Sequence, residues 1–181
     1  GANINNTKAL KWEKVIDSLY KVADTNPNLA IYVIEHLRKD TSLEQHQRVT
    51  LHFIKGDVYY RMDSLFQAVR EFSADLQAPK YLAARAGAFI KLKEYGRAYI
   101  DLKKASALNY DYNWNMGNYY EIVGMKDAAI TCYQQLYQKD TSIYRYCNIR
   151  INEILRPHPE LLTELVFHDR KRGVLLMKGV Q

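Results

Sequence analysis

The residues best suited to metal binding or nucleophilic chemistry are few, and their spacing brings no two of them together on one helix face. The five histidines are His36, His46, His52, His158 and His168. None of them is three or four residues from another, the spacing at which two ligands share a helix face. Cys132 and Cys147 lie among apolar neighbours and outside any Cys-x-x-Cys pattern, as small buried side chains do. We therefore expect no metal site and no disulfide framework.

Known catalytic motifs are also absent from the sequence. It contains no Gly-rich phosphate loop, no dinucleotide-binding glycine pattern, no His-Glu-x-x-His, no Gly-x-Ser-x-Gly and no EF-hand loop. The carboxylates are scattered, so no general acid–base pair can be nominated. We expect a protein that is not an enzyme and needs no cofactor, and a catalytic helical domain with a site built from distant residues stays open as a less favoured class.

The composition favours helices. Of the 181 residues 48% are hydrophobic and 25% are charged, while there are only 8 glycines and 4 prolines. A chain of this length and composition is globular and folds without disulfides or metals. β-Sandwiches and doubly wound α/β folds use more glycine and proline at their turns, so the sequence predicts an all-α protein. No apolar stretch reaches the roughly 18 residues of a transmembrane helix.

The charge is basic but not concentrated. There are 26 basic and 20 acidic residues, which gives a net charge of +6 and a pI near 9.2. The excess is spread over residues 83–112 and 145–181, and the longest basic run is Arg170-Lys171-Arg172. A nucleic-acid-binding protein usually carries a denser basic patch, so nucleic acid is an unlikely partner. It remains the alternative because five basic residues lie close together in the sequence: Lys91, Lys93, Arg97, Lys103 and Lys104.

A repeated pattern of small and bulky residues organises the middle of the chain. Two small residues are twelve apart in each of three stretches: Gly56 and Ala68, Ala86 and Ala98, Gly117 and Ala129. A bulky residue follows the first small residue by three positions and the second by four: Tyr59 and Phe72, Phe89 and Leu102, Tyr120 and Tyr133. These spacings place each small residue and its bulky partner on one helix face. Each stretch is therefore predicted to be two short helices that approach closely at the small residues.

This pattern resembles the tetratricopeptide repeat, a helix–turn–helix unit with a G-x2-Y…A-x3-F signature. The good match covers residues 49–143, with breaks between the helices at 61–64, 93–96 and 123–126. The resemblance implies an α-α superhelix, a right-handed solenoid of about five antiparallel helix pairs. The flanks 7–48 and 141–172 are predicted to be degenerate pairs of the same kind, and 173–181 a C-terminal cap. Near the N-terminus this prediction rests on an apolar stripe at helical spacing, formed by Trp12, Val15, Ile16, Leu19 and Val22. We expect one domain over residues 1–181.

The resemblance also implies where a partner would bind, because the first helices of such repeats line a concave groove. The residues expected to line it are Phe53, Asp57, Tyr60, Arg61, Lys80, Lys91, Trp114, Asn118, Glu121 and Arg145. Tyr59 and Tyr120 are expected in the core, which would turn Tyr60 outwards. Chaperone-binding members hold a carboxylate with a lysine and an asparagine four apart on the first groove helix. The lysine is missing at all three corresponding positions here, so we expect no clamp of that type.

The function expected from these features is that of a non-catalytic interaction module. It would bind a peptide or helix segment of another protein in the concave groove. The alternatives are a nucleic-acid-associated helical repeat and an accessory domain of a larger exported or regulatory protein. The chain begins Gly1-Ala2, so a trimmed precursor with a signal or lipid anchor is left open, and the compartment and oligomeric state are not predicted.

Overall fold

A computed structural model describes the backbone of residues 2–156 and, from residue 8 onward, their side chains. Within this part of the chain the structure is helical and contains no strand, which confirms the all-α prediction there. The α-helices are α1 (Ala2–Thr25), α2 (Pro27–Leu37), α3 (Gln45–Arg61), α4 (Leu65–Phe72), α5 (Pro79–Lys91), α6 (Tyr95–Leu108), α7 (Asn113–Ile122), α8 (Lys126–Lys139) and α9 (Tyr144–Leu155). Short 3-10 turns, Tyr110–Tyr112 and Thr141–Ile143, precede α7 and α9.

The chain divides into two compact units, Gly1–Ala74 and Asp75–Gln181. In the first unit α1 packs on α2, α2 on α3 and α3 on α4, and α1 also contacts α3. In the second unit each helix from α5 to α9 packs on the next. The expected helix pairs α1/α2, α3/α4, α5/α6 and α7/α8 are all present. The second helix expected after α9 and the cap at 173–181 lie outside the described residues, and the single domain over 1–181 stays a prediction.

Three turns of the same construction join the two helices of the central pairs. Asp63, Lys93 and Gly124 occupy them, with φ angles of 62°, 61° and 83°. In each turn this residue's N–H bonds to the carbonyl three residues back, and the next N–H bonds to the carbonyl five back, at 2.8 to 3.2 Å. This is the Schellman arrangement, which satisfies carbonyls left open at a helix end. The turns recur at offsets of 30 and 31 residues, the same offsets as the small residues.

The small residues allow close contact between the paired helices, as the sequence predicted. A Cβ atom added to Gly56 would lie 2.7 Å from the Phe72 ring, and one added to Gly117 would lie 2.5 Å from the Tyr133 ring. Both separations are shorter than real Cβ contacts, so only glycine fits opposite these rings. On the second helices, the small residues Ala68, Ala98 and Ala129 are fully buried.

An aromatic contact sits beside each glycine, one helical turn earlier on the first helix. The Phe53 and Phe72 rings are 5.4 Å apart, and the Trp114 and Tyr133 rings are 5.2 Å apart, between centroids. Both are tilted pairs at a separation typical of favourable aromatic contacts. In the α5/α6 pair the corresponding residues are Ala83, Ala86 and Leu102, all buried. That pair therefore has neither the glycine nor the aromatic contact.

The apolar stripe predicted near the N-terminus packs as expected. The first unit has a buried cluster that comprises Leu19, Ala23, Ala30, Ile34, Leu51, Ile54 and Val58. Trp12, Val15, Ile16 and Val22 of α1 lie against it and are half-buried. Asn26 caps α2 by accepting a hydrogen bond from the Leu29 N–H at 3.1 Å, with Pro27 at the first helical position.

The four residues Lys39-Asp40-Thr41-Ser42, which follow α2, recur as Lys139-Asp140-Thr141-Ser142 at the end of α8. Both copies form the same local turn. The Asp40 carboxylate accepts a hydrogen bond from the Ser42 N–H at 2.9 Å, and Asp140 accepts one from the Ser142 N–H at 3.0 Å. Such Asx turns satisfy backbone donors where one helix ends and the next begins.

No helix among the described residues combines the length and apolarity needed to cross a membrane.

Candidate functional site

Nine of the ten residues expected to line a groove lie on first helices of the described pairs, and Arg145 lies on α9. Four are on α3 in the first unit: Phe53, Asp57, Tyr60 and Arg61. Six are in the second unit, on α5, α7 and α9: Lys80, Lys91, Trp114, Asn118, Glu121 and Arg145. The repeat register therefore assigned the helices as expected. Exposure and contacts differ sharply among the ten, and each unit is best considered separately.

On α3, Arg61 is exposed, but its guanidinium is engaged by Asp57 and by residues of α1. Arg61 donates from Nη2 to Asp57 at 2.9 Å and from Nη1 to Asp24 of α1 at 3.0 Å. Its guanidinium also lies over the Tyr20 ring of α1, 5.7 Å from the centroid. Burial, with the nearby Asp57 charge adding to it, raises the pKa of Tyr20 to about 12. Asp57 and Arg61 thus hold α1 against α3.

The expectation that Tyr60 turns away from the core is wrong. Tyr60 is 8% exposed and Phe53 5%, whereas Tyr59, the expected core residue, is half-buried beneath the Lys55 ammonium. The same reversal occurs on α7, where Tyr119 is buried and Tyr120 is half-buried. The physical reason on α3 is that α1, α2 and α4 all pack on it, so most of its circumference is covered.

The expectation that Trp114 is an open groove anchor is also wrong. Trp114 is 4% exposed, and its indole makes a tilted contact with the Tyr133 ring of α8. The reason is the glycine one turn later. Gly117 lets the Tyr133 ring approach α7, beside the indole. The indole Nε1 is buried and has no hydrogen-bond partner among the described residues.

Asn118 and Glu121 belong to a polar network behind the same tyrosine. The Tyr133 hydroxyl lies 2.8 Å from Asn118 Oδ1 and 2.5 Å from Glu121 Oε2. Arg150 of α9 donates to both Glu121 oxygens, from Nε at 3.1 Å and from Nη2. Burial, reinforced by the Glu121 carboxylate, raises the pKa of Tyr133 well above its usual value. The network ties α7, α8 and α9 together and keeps the tyrosine protonated.

A small cavity of about 20 Å³ lies between α5 and α7, on the face that the register assigns to the groove. Its lining includes small residues of α5 and amides of α7: Ala83, Gly87, Ile90, Asn115 and Asn118. The cavity holds about one water-sized group. It occurs at the pair in which Ala83 and Leu102 replace the aromatic contact, because these smaller side chains fill less space.

Asn115 is the residue in this cavity that the sequence analysis missed. It is 5% exposed, and its Oδ1 is buried without a hydrogen-bond partner among the described residues. A buried amide oxygen without a partner is costly, so it marks a place where a donor would be stabilising. The signal available in the sequence was its spacing from Asn118, since residues three apart share a helix face.

The first unit contains a second polar cluster that the sequence did not predict. Lys55 Nζ lies 2.5 Å from Glu35 Oε1 and 3.3 Å from Glu71 Oε1. His52 Nδ1 lies 2.6 Å from Glu71 Oε2, and Arg38 Nη2 lies 3.3 Å from His52 Nε2. Arg38, at the end of α2, donates from Nη1 to Glu35 Oε1 at 3.1 Å. This hydrogen bond closes a ring of five side chains from α2, α3 and α4.

The hydrogen bonds of this ring define the histidine tautomer. A guanidinium can only donate, so His52 Nε2 accepts from Arg38 and the ring proton lies on Nδ1, which donates to Glu71. The hydrogen bond and charge of Lys55 lower the pKa of Glu35. Although burial opposes it, the carboxylates of Glu35 and Glu71 raise the pKa of Lys55. Both charged forms are therefore favoured, and the ring is an internally compensated network.

This ring borders a cavity of about 590 Å³ at the ends of α2 and α4 and the first half of α3. Its charged or ionisable lining residues are Arg38, Arg48, His52, Lys55, Arg70 and Glu71. The sequence analysis assigned no role to His52. The missed signal is that His52 and Lys55 are three apart on α3, so both project towards the same neighbours.

The two cysteines are poorly placed to act as nucleophiles. Cys132 and Cys147 are free and buried, and burial raises the pKa of the Cys132 thiol to about 11, which disfavours the thiolate. The part of the chain that the structure describes contains no group of three or more histidine, cysteine and carboxylate side chains able to hold a metal ion.

Compared with known proteins, the chain matches no family model, no curated protein and no solved structure.

Proposed function

We propose that this chain is a non-catalytic protein-interaction module of the tetratricopeptide type, and that its second unit binds an extended peptide segment of a partner along α5 and α7. The observation that carries the proposal is the buried Asn115 Oδ1, which lines the α5/α7 cavity and has no partner among the described residues. A water molecule in the cavity would satisfy this oxygen and bridge it to the backbone of a peptide bound over α5 and α7.

The repeated construction of the helix pairs supports the superhelical part of the proposal. The turns at Asp63, Lys93 and Gly124 share one hydrogen-bonding pattern, and two pairs share the glycine–aromatic contact. Units built alike and packed on their neighbours are the basis of helical-repeat architectures. A tetratricopeptide-like solenoid is the arrangement that this repetition favours.

The chemistry of the α5/α7 face suits a peptide backbone. Ala83 and Gly87 are small and buried, and both line the cavity, so the cavity lies directly against the backbone of α5. Asn115 and Asn118 offer amide groups that both donate and accept, as the peptide backbone does. Lys80 and Lys91 are exposed on α5, and Arg145 is exposed on α9, which favours a peptide with acidic side chains.

The basic residues that suggested nucleic acid support that alternative less well. Arg97 pairs with Glu94 at 3.2 Å, and Lys104 donates to the Leu76 carbonyl at 2.7 Å. Lys103 lies over the Tyr99 ring, 5.7 Å from the centroid. Since these three are engaged locally, fewer charges are left to neutralise phosphates.

The experiment is a selection of random-peptide phage on the wild-type protein, followed by affinity measurement on Asn115→Ala. We expect the enriched peptides to bind Asn115→Ala about tenfold or more weakly, because a hydrogen bond to a buried group is lost. The matched control is Gln134→Ala, an exposed amide on α8, which should bind as the wild type does. Thermal unfolding of all three proteins separates a binding effect from a folding effect.

The proposal fails if no peptide is enriched, or if the enriched peptides bind Asn115→Ala and the wild type equally. Equal losses in Asn115→Ala and Gln134→Ala would also contradict it, because the α8 amide lies away from the α5/α7 cavity. Enrichment of acidic peptides would further support a role for Lys80 and Lys91. Enrichment of apolar peptides would indicate that the cavity, and not these lysines, determines recognition.

A further inference from the structure

We propose that the first unit contains a separate binding site for a small oxyanionic ligand, one that carries phosphate or carboxylate groups, in the cavity between the end of α2, the first half of α3 and α4. The cavity has a volume of about 590 Å³. That volume is within the range of about 300 to 1,000 Å³ that small-molecule sites occupy. It lies within residues 1–74, whereas the peptide-binding face belongs to the other unit, so neither proposal depends on the other.

The charge of the lining selects an anion. Four basic side chains, Arg38, Arg48, Lys55 and Arg70, border the cavity together with one carboxylate, Glu71. Even when the neighbouring Glu35 is counted, positive charges exceed negative ones by two. A partly enclosed cavity with an excess of one sign concentrates ions of the opposite sign, because its walls screen charge less than water does.

The two carboxylates do not repel such a ligand because the ring of hydrogen bonds already compensates them. Glu71 Oε1 contacts Lys55, and Glu71 Oε2 accepts from His52 at 2.6 Å. Glu35 Oε1 contacts both Lys55 and Arg38. The same ring holds Arg38 and Lys55 in position at the cavity wall. A preorganised set of donors binds with less loss of side-chain entropy.

The guanidinium of Arg70 and the remaining N–H groups of Arg48 can donate to the ligand. Arg70 is exposed on α4 and forms no side-chain hydrogen bond or ion pair with the described residues. Arg48 donates to the carbonyls of Arg38 at 3.2 Å and Asp40 at 2.8 Å, and not to a carboxylate. Arginine is well matched to phosphate and carboxylate because its planar fork donates two parallel hydrogen bonds. An oxyanion would therefore bridge Arg48 and Arg70 at the mouth of the cavity.

The test is titration of the whole chain with inorganic phosphate and, in a second arm, with citrate. Binding is followed through the Nε–Hε signals of the arginine side chains by NMR, with ionic strength held constant by chloride so that screening does not change. We expect saturable shifts of the Arg48 and Arg70 signals with a Kd of about 1 mM or tighter. Saturation by phosphate alone, by citrate alone or by both identifies which oxyanions the site accepts.

The decisive variant is Arg70→Gln, and Arg97→Gln is its control, since Arg97 is an exposed arginine on α6 of the other unit. We expect Arg70→Gln to weaken binding about tenfold, as loss of a charge-assisted hydrogen bond does, and Arg97→Gln to leave it unchanged. Arg70 is exposed, so the variant should fold, and far-UV circular dichroism checks this. Non-saturating shifts with both anions, unchanged binding in Arg70→Gln, or equal weakening in both variants would overturn the proposal.

Discussion

The α5/α6 and α7/α8 pairs of the second unit have the same turn and the same twelve-residue spacing, yet they pack differently. In α7/α8, Gly117 admits the Tyr133 ring, and Trp114 covers it. In α5/α6 the equivalent residues are Ala86, Leu102 and Ala83, and a cavity of about 20 Å³ lies beside them. One helix-pair backbone therefore accommodates two kinds of packing, one with a large aromatic contact and one with smaller side chains that leave a cavity.

The α3/α4 pair of the first unit follows the aromatic alternative, with Gly56, Phe72 and Phe53 in the same roles. Its first helix is further covered by α1, which Arg61 holds through Asp24. A helix that carries the small–aromatic pattern is thus largely covered by its neighbours. Surface available for binding depends on what covers a helix as well as on the repeat register.

The largest effect should come from Trp114→Ala, which removes the aromatic filling of α7/α8. A buried tryptophan truncated to alanine typically costs about 3 to 5 kcal/mol in the free energy of unfolding. Urea unfolding of this variant measures the loss. The control is Tyr32→Ala, since Tyr32 is 70% exposed on α2 and its replacement should change stability by less than about 0.5 kcal/mol. A wild-type denaturation midpoint for Trp114→Ala would place the indole on the surface after all and restore it as a groove residue.

Much of the fold was accessible from the sequence because it depends on local spacing. The positions of the small residues predicted the helix pairs and their close contacts, and Ala68, Ala98 and Ala129 are fully buried. The apolar stripe from Trp12 to Val22 predicted α1 in the same way. Periodicity reports such contacts directly, because both partners recur at helical spacing.

The candidate sites were less predictable because they depend on neighbours that are distant in the sequence. Tyr60 and Trp114 sit at groove positions of the register, but α1 covers α3, and Tyr133 pairs with the indole. His52 and Glu71 are 19 residues apart, and Arg38 joins them from a third element. No local pattern encodes a ring assembled from three elements, so only the tertiary structure could reveal it.

A second, smaller effect is expected when the glycine–aromatic contact of α3/α4 is converted into the alanine–leucine contact of α5/α6. Gly56→Ala should destabilise by about 1 to 3 kcal/mol, because the new Cβ would overlap the Phe72 ring. In the Phe72→Leu background the same change recreates the Ala86/Leu102 combination. There it should cost much less, or even stabilise by up to about 1 kcal/mol, since alanine favours helix over glycine. A double-mutant cycle in urea measures the coupling.

The cycle has a clear contrary outcome. If Gly56→Ala costs the same with Phe72 and with Leu at position 72, the two residues are not coupled, and the difference between the pairs has another origin. The Phe72→Leu change alone provides the reference, because it loses apolar contacts whether or not position 56 is glycine.

The smallest effects concern the turns, which share one hydrogen-bonding pattern but have different residues at the position with positive φ. Asp63 and Lys93 adopt the left-handed conformation, which costs a residue with a Cβ roughly 1 to 2 kcal/mol, whereas Gly124 adopts it without that cost. Glycine also gains entropy in the unfolded chain, which offsets part of the benefit. Asp63→Gly and Lys93→Gly should therefore each stabilise by about 0.5 to 1 kcal/mol, and Gly124→Ala should destabilise by a similar amount. Thermal unfolding of the three variants measures these shifts. Lower melting temperatures for both glycine variants would show that the Asp63 and Lys93 side chains contribute more to their turns than the strain removes.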